Sequence, residues 1–257
     1  MYSIDLNCDM GESYGAYTLG ADDRLMPLIS SANIACGWHA GDPLVMSRTV
    51  ESAIQHKVAV GAHPGYPDLL GFGRRPMDCS LKEIRAYVMY QVGALQAFCK
   101  AGKIPLRHVK PHGALYNSAA QNEDLLRVIA EAVAGIDPDI YLVTLAKTSS
   151  ERTREICRQA GVKVMFEAFA DRAYTPQGTL VPRSHPNAII HSPEAAAEQV
   201  IRIVTEGKLR AVDGSDIALD AQTICVHGDT PEAVNIVRRI RRLLESSGIV
   251  IQRMAAG

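Results

Sequence analysis

The sequence predicts an α/β fold closed into a seven-stranded (β/α) barrel, TIM-like in plan, and three observations lead there. Short β-forming runs alternate with amphipathic helical runs along almost all of the 257 residues, which gives parallel strands covered by helices. The β-runs number seven, close to the eight of the standard barrel. One face of nearly every run is polar, whereas strands of a doubly wound sheet are apolar on both faces because helices cover both. An apolar outside under helices and a narrow polar inside is the pattern of a barrel.

The strands are expected at residues 3–9, 31–36, 57–62, 106–110, 140–145, 163–169 and 222–227. Helices follow at 42–56, 80–101, 122–134, 149–160, 192–206 and 230–246. Asp42-Pro43, Ser192-Pro193 and Thr230-Pro231 each place a capping side chain before a proline at the first helical position. Ser80 with Glu83 has the spacing of a capping box. Along the strands, Asp5, Asn7 and Asp9 share a face, as do Asn33, Ala35, Gly37 and His39. The matching sets are Ala59, Gly61 and His63, then His108, Lys110 and His112, then Glu167, Phe169 and Asp171, and last Cys225 and His227. Segments 173–183 and 209–219 carry turn residues between β formers and read as hairpin excursions. The first follows a strand's C-terminal end, where barrel active sites lie. The second precedes a strand and is expected on the opposite face. A single barrel domain over residues 1–257 is expected.

Charge excludes some partners. With 27 basic and 28 acidic side chains, the chain lacks the cationic surplus that nucleic acid or an anionic membrane requires. No apolar stretch reaches the roughly 18 residues of a membrane span. The acidic N-terminus has no basic residue before Arg24 and reads as carrying no signal peptide. The six cysteines show no paired spacing, which fits a reducing cytoplasm.

Four of the eight histidines, His39, His63, His112 and His227, stand at strand ends with glycine close behind. Strand C-termini of a parallel barrel converge on one face, so these four are expected to meet there. Asp9 and Glu12 from the first loop, Lys110, Asp171 and Arg172 belong to the same rim. Any one such histidine is ordinarily a hydrogen-bonded structural residue, but a whole set in a tight barrel would leave polar groups unpaired at several kcal/mol each. Two chemistries remain open. Histidine and carboxylate supply general acid and base near neutral pH, with Lys110 beside His112 to stabilise an oxyanion. Alternatively Asp9, His39 and His63 hold a divalent metal that activates water. Gly71-Phe72-Gly73-Arg74-Arg75 is a candidate oxyanion or phosphate site. No standard nucleotide fingerprint occurs. Arg238–Arg242 reads as a solvated helix face, and Tyr87, Tyr90 and Phe98 as packing.

Several long blocks resemble the LamB/YcsF family: residues 5–15 (DLNCDMGESYG), 32–42 (ANIACGWHAGD), 61–68 (GAHPGYPD), 71–75 (GFGRR), 109–116 (VKPHGALY), 169–174 (FADRAY) and 225–231 (CVHGDTP). The resemblance implies a barrel related to polysaccharide deacetylases. It also implies ATP-dependent opening of 5-oxoproline to L-glutamate, with ATP and Mg2+ as the nucleotide supply and with B and C partner subunits. On that expectation Asp9 or Glu12 activates water. Lys110 with His112 or His63 stabilises the oxyanion and protonates the leaving nitrogen, while Gly73, Arg74 and Arg75 hold phosphate. His39 joins the catalytic set, and Asn7, Asn33, Asp171, Arg172 and His227 complete the substrate pocket. The alternatives are a metal-dependent amide deacetylase and a non-catalytic protein that binds the lactam for its partners.

Overall fold

The computed structural model describes residues 2–254, so residue 1 and residues 255–257 of the expected 1–257 domain lie outside the described residues. Its strands are β1 (Ser3–Met10), β2 (Ser31–Ala35), β3 (Ala59–His63), β4 (Leu106–Val109), β5 (Tyr141–Leu145), β6 (Lys163–Phe169), β7 (Lys208–Arg210), β8 (Asp216–Ala218), β9 (Thr223–Val226) and β10 (Val250–Ile251). Six run side by side in sequence order from β1 to β6, β9 follows β6, and β9 pairs back with β1. Every one of these pairings is parallel, so the barrel closes with seven strands as expected. The short β10 extends the pairing of β1 at its first residues, Ser3 and Ile4.

The expected helices form as α2 (Pro43–Gln55), α3 (Leu81–Ala101), α5 (Glu123–Ile136), α6 (Glu151–Ala160), α7 (Pro193–Glu206) and α8 (Ala233–Ser246). Two short ones, α1 (Asp22–Leu25) and α4 (Gly113–Ala119), carry too few turns to show a hydrophobic period. Asp42 accepts from the amides of Leu44 and Val45, Ser192 from that of Ala195, and the Ser80–Glu83 capping box is complete. Thr230 does not cap α8. That helix starts at Ala233, and the Thr230 hydroxyl is buried without a partner, so Asp229-Thr230-Pro231 belongs to the loop.

Residue 57 is expected within a strand, but Lys57 takes a left-handed φ of 57° as the chain leaves α2, and β3 begins two residues later. The first excursion narrows to a Tyr174–Leu180 bridge after β6. The second is the β7–β8 hairpin, and its position differs from expectation. Its tip amide at Val212 donates to the carbonyl of Tyr174, so the hairpin reaches the side of the first excursion instead of capping the opposite face. Tyr87 and Phe98 pack against the core, whereas Tyr90 stays 66% exposed and leans on Trp38. Arg238, Arg239 and Arg242 are solvated, while Arg241 ties α8 to the carbonyl of Leu28. Among the described residues no helix is long and apolar enough to cross a membrane.

Register places the site. Asp9 lies beside Asn33, Asn33 beside Gly61, and Gly61 beside His108, one row across four strands. A Cβ at position 61 would lie 2.0 Å from the His108 ring, so glycine is required for the ring to cross the barrel there. The outward residues, among them Leu6, Cys8, Ile34, Val60 and Ala62, join the core beneath the helices.

Candidate active site

The barrel interior is polar and almost fully buried. At its lower end Asp5 accepts from the hydroxyls of Ser30, Ser31 and Thr223 and from the amide of Met254. Asn7 donates to Thr223 and Glu167, Asn33 donates to Asn7 and Asp9, and the His108 ring bonds Asn33 at 2.7 Å. Above this lattice sits Lys110, 3.0 Å from both Asp9 and Glu167 and 3.1 Å from the sulfur of Cys225. Burial works against its ammonium, but Asp9, Cys225 and Glu167 outweigh it and hold the Lys110 pKa well above the ordinary value. Asp9 experiences the reverse: burial pushes it up, and His63 and Lys110 pull it well below the usual carboxylate range. The pair is therefore ionised at neutral pH.

Three histidines crowd behind. Nδ1 of His63 lies 2.6 Å from the carbonyl of Lys110, and Nε2 of His112 lies 2.8 Å from that of Phe72. A carbonyl only accepts, so each of these nitrogens carries the proton. The inward atoms, His63 Nε2 and His112 Nδ1, are 2.9 Å apart. Two lone pairs repel at that distance unless a proton is shared between them or a cation sits against them. His39 stacks on His112 at 3.7 Å, and neither of its ring nitrogens has a hydrogen-bond partner. Oε1 of Glu12 is also buried without a hydrogen bond, 3.7 Å from His39 and 3.8 Å from His112. Burial and the charges of Asp9 and Asp229 push Glu12 well above its usual pKa. Burial and the neighbouring imidazoles push His39 and His112 well below theirs.

Glu12, His39, His63 and His112 each bring one ligand atom to within 4.8 Å of the others. Three imidazoles and a carboxylate are a donor set for a divalent ion of the zinc type. The expected metal set had Asp9 in place of Glu12 and His112. Asp9 is engaged by Asn33 and by the Lys110 ammonium, whose charge would repel a metal at that carboxylate.

A cavity of about 750 Å³ opens over this floor. His63, His112, Lys110 and Asp9 line its base, and His227 lines a wall. His227 stacks on Phe169 and lies with Nδ1 2.9 Å from Asp171, which holds the tautomer whose Nε2 is the free nitrogen. The residues thus offer a fixed cation and an oriented imidazole around one space, with the metal-ligand cluster reaching it through His63 and His112.

The LamB/YcsF family model matches residues 4–257. The chain belongs to the LamB/YcsF family. Relatives of this LamB/YcsF chain include a Pyrococcus horikoshii protein named as the A subunit of 5-oxoprolinase, 54% identical over 251 residues, covering 98% of this chain and 97% of that one. A solved lactam utilization protein from Thermus thermophilus superimposes with a TM-score of 0.90 at 48% identity, covering 97% and 99% of the two chains. A family 4 carbohydrate esterase from Streptomyces lividans, at TM-score 0.50 and 14% identity over 99% of this chain and 93% of that one, shares the fold alone.

Within this LamB/YcsF barrel the remaining expected residues divide. Arg74 lines the cavity and pairs with Asp229 at 2.6 Å. Arg75 is 65% exposed, pairs with Asp68 and does not line the cavity, so it is not beside Arg74 in the site. Gly73 serves packing: with φ +62°, a Cβ there would lie 2.7 Å from His39 and 2.9 Å from His112. Arg172 lines the cavity, but its guanidinium donates to the carbonyls of Val181 and Ala188 and braces the excursion. Asn7 and Asn33 lie in the lattice below, Asp171 behind His227, and Glu12 and His39 behind His112. The sequence pattern does not single out Glu167, Tyr116 or Arg183 as site residues. Glu167 shares Lys110 with Asp9 and accepts from the Tyr116 hydroxyl, and its place on the polar face of β6 is the available signal.

Proposed function

We propose that this chain opens the lactam ring of 5-oxoproline to L-glutamate, as the A subunit of an ATP-coupled 5-oxoprolinase working with B and C partners in the cytoplasm. The observation that carries this reading is the near-complete match to a chain named as the A subunit of 5-oxoprolinase. The geometry supplies the chemistry. Opening the ring requires water to add to the amide carbon, the negative charge on the oxygen of that carbon, or on the phosphoryl group it carries once activated, to be stabilised, and the ring nitrogen to take a proton as the C–N bond breaks. Lys110, held charged between two carboxylates, is the stabiliser of that oxyanion. His227, oriented by Asp171, removes the proton from water through Nε2 and returns it to the leaving nitrogen. Asp9 fixes Lys110 and faces His63 at 3.4 Å. In this reading the partners use ATP and Mg2+ to phosphorylate the lactam oxygen, and this one barrel domain, residues 1–257, opens the activated ring. Water adds to the ring carbon, the C–N bond breaks as nitrogen takes the proton, and the acyl phosphate left behind is hydrolysed by a second water to L-glutamate and phosphate. Arg74 is the phosphate contact of the expected GFGRR segment.

The orphaned atoms of Glu12 and His39 favour a second element, a divalent metal held by Glu12, His39, His63 and His112. When bound, such an ion polarises a carbonyl or lowers the pKa of water. Metal analysis of the purified chain tests it: about one equivalent of a divalent ion supports this element, and a metal-free chain of full activity rejects it. The function itself is tested by glutamate release from 5-oxoproline and ATP with the chain alone, the partners alone, and both. Release only by the combination is expected. Equal release by the partners alone would leave this chain a non-catalytic lactam carrier.

A further inference from the structure

We infer that Arg183, at the end of the first excursion, is the anchor for the carboxylate of the lactam substrate, a role that rests on the reading above. Five cations line the cavity: Arg74, Lys110, Lys147, Arg172 and Arg183. Four have acceptors within the protein. Lys110 has Asp9 and Glu167, Arg74 has Asp229, Lys147 has the carbonyl of Ala120, and Arg172 has the carbonyls of Val181 and Ala188. Among the described residues Arg183 has neither a hydrogen bond nor an ion pair, although it is half-buried. Burial and the nearby Arg74 press its pKa below the ordinary arginine value against the opposing pull of Asp229, Asp171 and Asp9, none of which makes an ion pair with it. A partly desolvated charge without a partner is unfavourable by itself, and an anion in the cavity relieves it.

The loop that carries Arg183 is braced. Tyr174 bridges to Leu180, Arg172 bridges to Ile189, and the Arg172 side chain holds the carbonyl of Val181 two residues before Arg183. Leu180, Val181 and Pro182 line the cavity beside it, so the guanidinium is presented from a fixed wall. A planar five-donor fork on such a wall suits a carboxylate, which it grips through two parallel bonds. 5-Oxoproline carries one carboxylate, on the ring carbon next to nitrogen and remote from the carbonyl carbon. With the carbonyl oxygen at Lys110 on the floor, the carboxylate is left for the wall. A phosphoryl group on the activated oxygen would stay with that oxygen near the floor, where Arg74 also lines the space.

The test uses complexes assembled with wild-type partners and either Arg183→Ala or Arg183→Lys, with glutamate release followed against 5-oxoproline and against ATP. Arg183→Ala is expected to raise KM for 5-oxoproline about 10- to 100-fold, the range for losing a charge-assisted bidentate pair. Its kcat and its KM for ATP should stay within about threefold, and Arg183→Lys should recover only part of the loss because lysine offers a point charge. Binding of 5-oxoproline to the isolated chain by calorimetry should weaken in parallel. An unchanged KM for 5-oxoproline overturns the inference. So does a fall in kcat with KM intact, which would put the guanidinium on the transferred phosphoryl group instead. A wild-type complex that releases no glutamate overturns the parent reading, and the anchor falls with it; an active wild type with an unaffected Arg183→Ala removes the anchor alone.

Discussion

The lower and upper halves of the barrel interior are built from the same residue types and behave in opposite ways. Below, Asp5, Asn7, Asn33 and Thr223 meet one another's donors and acceptors in a closed lattice, with only Nδ1 of His108 left over nearby. Above, Oε1 of Glu12, both nitrogens of His39 and the guanidinium of Arg183 have no hydrogen-bond partner among the described residues. Buried polar groups are ordinarily paired, because an orphan loses its hydration with nothing in return. The lower half therefore reads as structure, and the upper half as a site whose missing partners arrive with a ligand. Lys110 joins the two.

That division can be broken at several points. Lys110→Met should have the largest effect, since it removes the oxyanion partner and strands Asp9 and Glu167. Glutamate release should fall at least about 10³-fold and stability by about 3–5 kcal/mol, read by assay and by denaturant melt. Asp171→Asn comes next: without the carboxylate to fix its tautomer, His227 should lose about 10²-fold in kcat while the melt barely moves. In the lattice the balance reverses. Asn33→Ala orphans Asn7 and His108 together and should lower stability by about 2–4 kcal/mol, seen as a lower melting temperature.

The last effect concerns pH and is confined to acid conditions. Burial raises the Asp5 carboxyl from 3.8 to about 6. The folded state then binds a proton there more tightly than the unfolded chain, so stability attributable to Asp5 is highest below about pH 4 and declines as pH rises to about 6. Relative to Asp5→Asn, the wild type should lose about 3 kcal/mol across that window and nothing further above it. Parallel stability curves for the two proteins would show that Asp5 carries no such proton linkage.

Much of this architecture is legible because barrel strands print their two faces on the sequence with a period of two. Asp5-Asn7-Asp9 and His108-Lys110-His112 mark the polar interior on the sequence alone. The glycines behind His63 and His112 mark the mouth. Which polar neighbours satisfy one another is not legible in the same way. Asp9 reads on the sequence either as a water activator or as a metal ligand, and it is strand register that sets its 3.0 Å pairing with Lys110 across the barrel. Arg74 and Arg75 are adjacent in sequence but diverge, one to the cavity and one to Asp68. Arg183 lies in an irregular excursion with no period to read, and only its solitude in the folded chain distinguishes it.

The most direct measurement replaces His227 with alanine, assembles the chain with its partners, and records glutamate release at saturating 5-oxoproline and ATP beside the melting temperature. If His227 is the proton carrier, the rate falls about 10²–10³-fold with the melting temperature essentially unchanged. A variant that releases glutamate at the wild-type rate, or that loses activity only because it unfolds, would contradict that role.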